Sequence, residues 1–116
     1  MRKAKDQAAL DCYREVLLTL GQVTDYIQWK ELPLCWLFEN LPNINVKLVH
    51  ELMAEHVQSG GEIYQVEETR PEYVWWRFHY DIRMPLSGRR VYIETVLEQG
   101  EDAEASTIWI VNLKDQ

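Results

Sequence analysis

The sequence predicts an α+β domain: N-terminal helices packed on one face of a small, mainly antiparallel twisted sheet of about four strands. Three observations carry this. Apolar residues recur at helical spacing up to about residue 60, the period then drops to two, and the stretch from Tyr73 to Leu97 alternates around a Pro85-Leu86-Ser87-Gly88 turn. Helices first and antiparallel strands second is the order of a layered domain, with the helical part about 1–60 and the sheet part about 61–116.

From Asp6 to Leu20, the apolar residues Ala9, Leu10, Tyr13, Val16, Leu17 and Leu20 follow helical spacing, and Gly21 stands where a C-terminal cap belongs. The basic start, Met1-Arg2-Lys3-Ala4-Lys5, leads into this mixed helix and not into an apolar signal core, which reads as a cytoplasmic chain. An aromatic-rich stretch from Tyr26 to Phe38 follows. Pro33 suits the first turn of a short helix running to about Asn40, before Leu41-Pro42-Asn43 closes it. Asn45 is placed to cap a third helix in which Val46, Val49, Leu52, Met53, His56 and Val57 share a face, and Gly60-Gly61 ends it. Glu62 to Glu67 is the first strand, Thr69-Arg70-Pro71 a turn, Tyr73 to Leu97 a long hairpin, Glu98 to Glu104 a solvated acidic loop, and Thr107 to Leu113 the last strand.

At 116 residues the chain has the size of one ordinary domain, large enough to bury a core without metals or disulfides. Its 47% hydrophobic and 27% charged residues suit a globular protein, and no apolar run approaches the roughly 18 residues that cross a bilayer. Cys12 and Cys35 lie in apolar helical contexts and read as buried free thiols. A net charge of −7 opposes non-specific attraction to nucleic acid, so an RNA or DNA contact has to rest on a local basic patch or on a substrate presented by something else.

The hairpin has one apolar and one chemically loaded parity. Val74, Trp76, Phe78, Tyr80, Ile82 and Met84 alternate with Tyr73, Trp75, Arg77, His79, Asp81 and Arg83. On the return, Val91, Ile93, Thr95 and Leu97 alternate with Arg90, Tyr92, Glu94 and Glu98. A turn centred on Leu86-Ser87 sets His79 opposite Glu94, Asp81 opposite Tyr92, and Arg83 opposite Arg90. A histidine facing a carboxylate is oriented and favoured as the cation, which suits a general acid; two facing arginines suit an anion such as phosphate. Trp75, on the polar parity, needs something to stack on, whereas Trp29, Trp36 and Trp76 read as core. The bland counterpart is a solvated sheet face whose charge pairs contribute well under ~1 kcal/mol each.

The stretch Val74-Trp75-Trp76-Arg77-Phe78-His79-Tyr80-Asp81-Ile82-Arg83, then Gly88, then Val91 to Leu97, then Ile110 to Lys114, resembles the RelE-like and MqsR-like ribonuclease toxins, as does the preceding helix from Val46 to Gln58 running into Tyr64. The resemblance covers roughly the last 70 residues and lies mostly in hydrophobic spacing. It implies a metal-independent endoribonuclease without cofactor, with RNA as substrate and an antitoxin-like protein as partner. It places Tyr92 at the family's tyrosine and Lys114 at its C-terminal lysine. Gln65 stands where the family has lysine and Arg77 where it has glutamine, so the charge that Gln65 lacks has to come from Arg77, Arg83 or Lys114. On this reading His79, Tyr92, Glu94 and Lys114 are catalytic, and Gln65, Trp75, Arg77, Arg83 and Arg90 bind substrate on the open sheet face.

Two other readings fit the same residues. One is a catalytically silent fold of this shape acting as an interaction module for a protein partner or a second copy of itself, with Trp75 as an exposed anchor. The other is a winged helix, which the third helix opposes because its Glu51 and Glu55 repel phosphates.

Overall fold

The computed structural model describes residues 5–21, 23, 25–73 and 75–116; the first four residues of the basic start, and Val74 of the apolar parity, lie outside the described residues. Helix α1 (Gln7–Glu15) begins where the Asp6 carboxylate accepts from the Ala9 N–H at 3.1 Å, and a wider π-type turn from Val16 to Leu20 continues it. Gly21 follows at φ −64°, an ordinary helical angle. Its glycine identity is therefore a matter of room: a Cβ there would run into the Ile27 side chain and the Leu17 carbonyl.

Helix α2 (Glu31–Asn40) carries Pro33 in its first turn, and helix α3 (Val46–Gln58) is capped by Asn45, which accepts from the Leu48 N–H at 2.8 Å. The end of α3 is a Schellman motif. Gly60 N–H bonds the Val57 carbonyl and Gly61 N–H the His56 carbonyl, with Gly60 at φ 99° where a side chain would be strained.

Five strands follow the order β1-β5-β4-β3-β2: β1 (Ile27–Trp29), β5 (Thr107–Asp115), β4 (Arg89–Glu98), β3 (Phe78–Leu86) and β2 (Tyr64–Glu67). Strand β1 runs parallel to β5 while the other neighbours are antiparallel, so the sheet is mixed and has one strand more than expected. Three residues are too few to show a period of two, and β1 lies within the stretch expected to be helical; the edge of β5 gives it a partner.

The hairpin differs from expectation in two respects. Its first strand begins at Phe78, because β2 ends at Glu67 opposite that residue and nothing beyond, among the described residues, offers a ladder. Pro71–Tyr73 instead makes a 3₁₀ turn, extended by a bond from Trp76 N–H to the Tyr73 carbonyl, despite the alternating side chains. Second, the turn is centred on Ser87-Gly88, with φ 51° and 80°, a type I′ geometry. Centring it on Leu86-Ser87 would force Leu86 to a positive φ that glycine tolerates far better. The pairing therefore moves by two: Asp81 faces Glu94, Arg83 faces Tyr92, and Pro85 faces Arg90. An even shift leaves every residue on its face.

The apolar parity faces the helices. Tyr80, Ile82, Met84, Val91, Ile93, Ile108 and Ile110 are buried against Tyr13, Leu17, Val49 and Met53, and the Tyr13 ring stacks on Tyr80 at 4.4 Å. Trp29 and Trp36 border this core and Trp76 is half-buried. Cys12 is half-buried. Cys35, against expectation, is exposed, because α2 buries only the stripe of Pro33 and Leu37. The strand pair expected of a winged helix is instead the middle of a five-stranded sheet. Among the described residues no helix is long and apolar enough to cross a membrane.

Replacing Asn45 by Ala removes the α3 cap and is expected to cost about 1 kcal/mol. The melting temperature should fall by roughly 4 °C, and Asn45→Asp should retain most of it. Thermal unfolding followed by circular dichroism measures both.

Candidate functional site

Opposite the helices, the polar parity of β2, β3 and β4 carries a connected charge cluster. His79 and Asp81 are two apart on β3 and so point the same way, and His79 Nδ1 lies 2.9 Å from Asp81 Oδ1. Glu94 stands across the ladder from Asp81. Just beyond β2, Glu68 joins them: its N–H bonds the Arg77 carbonyl at 3.0 Å, which closes the 68–77 loop over this end of the sheet. Arg70 ties the parts together. Its Nε and Nη2 grip the Glu68 carboxylate at 2.8 and 2.9 Å, Nη2 also reaches Glu94 Oε2 at 2.5 Å, and the guanidinium lies over the Tyr73 ring.

The carboxylates are withdrawn from solvent, with side-chain exposures of 2% for Glu68 and 5% each for Asp81 and Glu94, against 38% for Arg70. Such groups stay charged only with partners in contact. The Arg70 hydrogen bonds push Glu68 down to about 2, overriding burial. His79 is raised above the ordinary imidazole value, first by its bond to Asp81 and then by the Asp81, Glu94 and Glu68 charges, with desolvation opposing.

Tyr92 borders the cluster. Its hydroxyl donates to Glu94 Oε1 at 3.3 Å, and burial, followed by the charges of Asp81 and Glu94, raises its pKa, so the phenol remains a donor at neutral pH. Two cations flank its ring, the Arg83 guanidinium at 5.6 Å and the Lys114 ammonium at 5.1 Å. Arg83 also lies 4.8 Å from the Tyr64 ring.

His79, Tyr92, Glu94, Arg83 and Lys114 are thus brought together; four other expected residues are not. Gln65 lies on the opposite face, paired with Tyr80 and buried. Its amide accepts from Asp6 N–H and donates to the Asp6 carbonyl, both at 2.8 Å, and also donates to Tyr80 Oη, so it clamps the start of α1 to the sheet. Arg77 precedes β3, paired with the Asp6 carboxylate and lying over the Phe78 ring. Arg90 is exposed opposite Pro85, since the turn shifted the register. Trp75 is in the loop before β3, 78% exposed, and belongs to no strand face.

Glu68 and Arg70 were not expected. They flank a turn that reads as ordinary solvated connection, and their role depends on reaching Glu94, which lies 24 residues from Arg70 in sequence. His79, Asp81 and Glu94 each bring a potential metal-ligand atom within 4.8 Å of the others. Those groups already engage one another or Arg70, so a cation would have to displace internal bonds. No protein-family model, curated protein or solved structure matches the chain.

Arg70→Met leaves two buried carboxylates without a counter-ion and is expected to cost about 2 kcal/mol at pH 7, the low end for a buried pair because Arg70 is partly solvated. Glu68 is depressed when folded, so its contribution is present above the ordinary carboxylate range and lost as pH falls towards 2. The variant's deficit should therefore shrink in acid, which urea melts at pH 7 and pH 3 would measure.

His79 behaves in the opposite sense. Its stabilising contribution is full below the ordinary imidazole value and lost as pH rises through the higher folded value. NMR titration of the imidazole should place its midpoint above 6.5, and Asp81→Asn should lower that midpoint. An unchanged midpoint in the variant would refute the assigned cause.

Proposed function

We propose that the outer sheet face around His79 and Tyr92 is a metal-independent endoribonuclease site. The observation that carries this reading is an imidazole held by Asp81 at 2.9 Å and favoured as the cation, beside a phenol donor flanked by Arg83 and Lys114. The ribose 2′-hydroxyl attacks the adjacent phosphorus. Its proton passes through the Tyr92 hydroxyl to Glu94 Oε1, the existing acceptor. The bond from O2′ to phosphorus forms, that to O5′ breaks, and the His79 proton goes to O5′, leaving a 2′,3′-cyclic phosphate and a 5′-hydroxyl. Arg83 and Lys114 stabilise the charge gathered on the phosphoryl oxygens, the part that Gln65 on the other face does not take.

A second reading has its own support. Leu32 at 82%, Trp75 at 78% and Phe38 at 57% exposure are large apolar side chains in water, as expected of an interaction module with a protein partner or a second copy.

The test is incubation of the full chain with a short single-stranded RNA in EDTA. Cleavage to cyclic-phosphate ends is expected, with His79→Gln and Tyr92→Phe each slowing it by about 100-fold or more while the circular dichroism spectrum is unchanged. Absence of cleavage, or variants as active as the parent, overturns the enzyme reading. A concentration-dependent dimer in sedimentation with no cleavage favours the module.

A further inference from the structure

At the opposite edge of the sheet from the His79 cluster, a cavity of about 630 Å³ is lined by residues of β1, the segment before it, α2 and the start of α3. That volume is in the range of small-molecule sites. Its walls include Val23, Ile27, Leu34 and Val46, and its polar residues are Lys47 and His50 from the first turns of α3 together with Asp25 and Gln28 from β1 and the segment before it.

His50 is the informative residue. It lines the cavity, is only 8% exposed, and its Nε2 is 2.8 Å from Trp29 Nε1. An indole N–H can only donate, so Nε2 must accept, and the proton of the neutral ring is assigned to Nδ1. Burial pushes this histidine down to about 4, in keeping with a neutral ring. Among the described residues no group accepts from Nδ1, and no buried side-chain nitrogen or oxygen is left without a partner, so Nδ1 is open to solvent, an available donor on a residue that lines the cavity.

The surroundings favour an acceptor carrying negative charge. Lys47 lines the same cavity, and the N-terminal end of the 13-residue α3 directs its positive dipole end there. The edge strand adds donors. Tyr26 accepts from Ile108 and Lys30 donates to Ile110, so by parallel alternation the Ile27 and Trp29 N–H groups point away from β5, to the free edge. Asp25, also in the lining, disfavours a second negative charge on the ligand.

We propose that this cavity binds a small apolar carboxylate, its hydrocarbon part among Val23, Ile27, Leu34 and Val46 and its carboxylate on His50 Nδ1–H and Lys47. Calorimetric titration of the full chain with octanoate and with 3-phenylpropionate should show saturable one-to-one binding of at least one, and octan-1-amine should bind at least tenfold more weakly. Lys47 is exposed, so Lys47→Gln should fold normally and weaken binding about tenfold; His50→Phe should do the same, and Leu34→Trp, which fills the cavity, should abolish binding with an unchanged circular dichroism spectrum. Should His50→Phe fail to fold, Lys47→Gln and Leu34→Trp decide. The proposal is overturned by no saturable binding of either acid, by amine binding as tight as acid binding, or by affinity unchanged in both of those variants. RNA cleavage is not involved in any of these readouts, so this inference stands or falls apart from the ribonuclease reading.

Discussion

The polar face depends on the register of β3 against β4, and that register depends on two residues. Ser87 and Gly88 both adopt positive φ, which fixes the type I′ turn and puts Asp81 directly across from Glu94. Two carboxylates so placed repel one another unless cations are inserted. His79 takes one side of Asp81, and Arg70 reaches in from the 68–77 loop to take Glu94. The path of that loop is thus coupled to a turn at the far end of the hairpin. Glu68 then serves as the second acceptor that completes the Arg70 fork.

The other face is organised by a β-bulge at the same level. Glu94 pairs with Asn112 but Thr95 pairs with Ile110, leaving Val111 as the extra residue of β5. Without it, Ile108 and Ile110 could not share the inner face with Leu113. The bulge also marks the level at which Thr95 turns inward, where its hydroxyl bonds the Tyr80 carbonyl at 2.8 Å and meets Tyr13 Oη at 2.7 Å. One residue after the outer-face Glu94, the chain is anchored to α1. The site is therefore built on a rigid part of the sheet, and only Glu68 and Arg70 come from a connecting segment.

Much of this was legible from periodicity. The helices, the Asn45 cap, the glycine stop and the inward or outward side of the residues paired between β3 and β4 follow from local patterns, and even the bulge leaves a trace in the change of parity between Ile110 and Leu113. Alternation encodes a face, but it does not say where a ladder ends. Tyr73, Trp75, Trp76 and Arg77 keep the alternation yet, among the described residues, have no strand beside them, and β1 pairs with β5 across some 80 residues with no pattern of its own. Gln65 reverses the usual sign, a polar residue facing inward while Val66 faces outward, because the Asp6 backbone offers it both a donor and an acceptor. Such a partnership cannot be read from either residue alone.

Under the proposed ribonuclease reading, a chain of net charge −7 has to meet a phosphate. Around Tyr92 the sum differs from the whole: Glu68, Asp81 and Glu94 give −3, while Arg70, protonated His79, Arg83 and Lys114 give +4, a local balance of +1. Arg70 and His79 are committed to the buried carboxylates, so the surplus resides on Arg83 and Lys114 beside the phenol. One phosphodiester, carrying −1, neutralises it. The net acidity of the chain opposes general attraction of a polyanion, so a local surplus would favour contact at this face, and salt screens both effects. Deprotonation of His79 removes the surplus altogether. If the proposed ribonuclease reading holds, the Asp81 hydrogen bond that favours the His79 cation would set both the supply of a proton to a leaving oxygen and the charge that admits the phosphate.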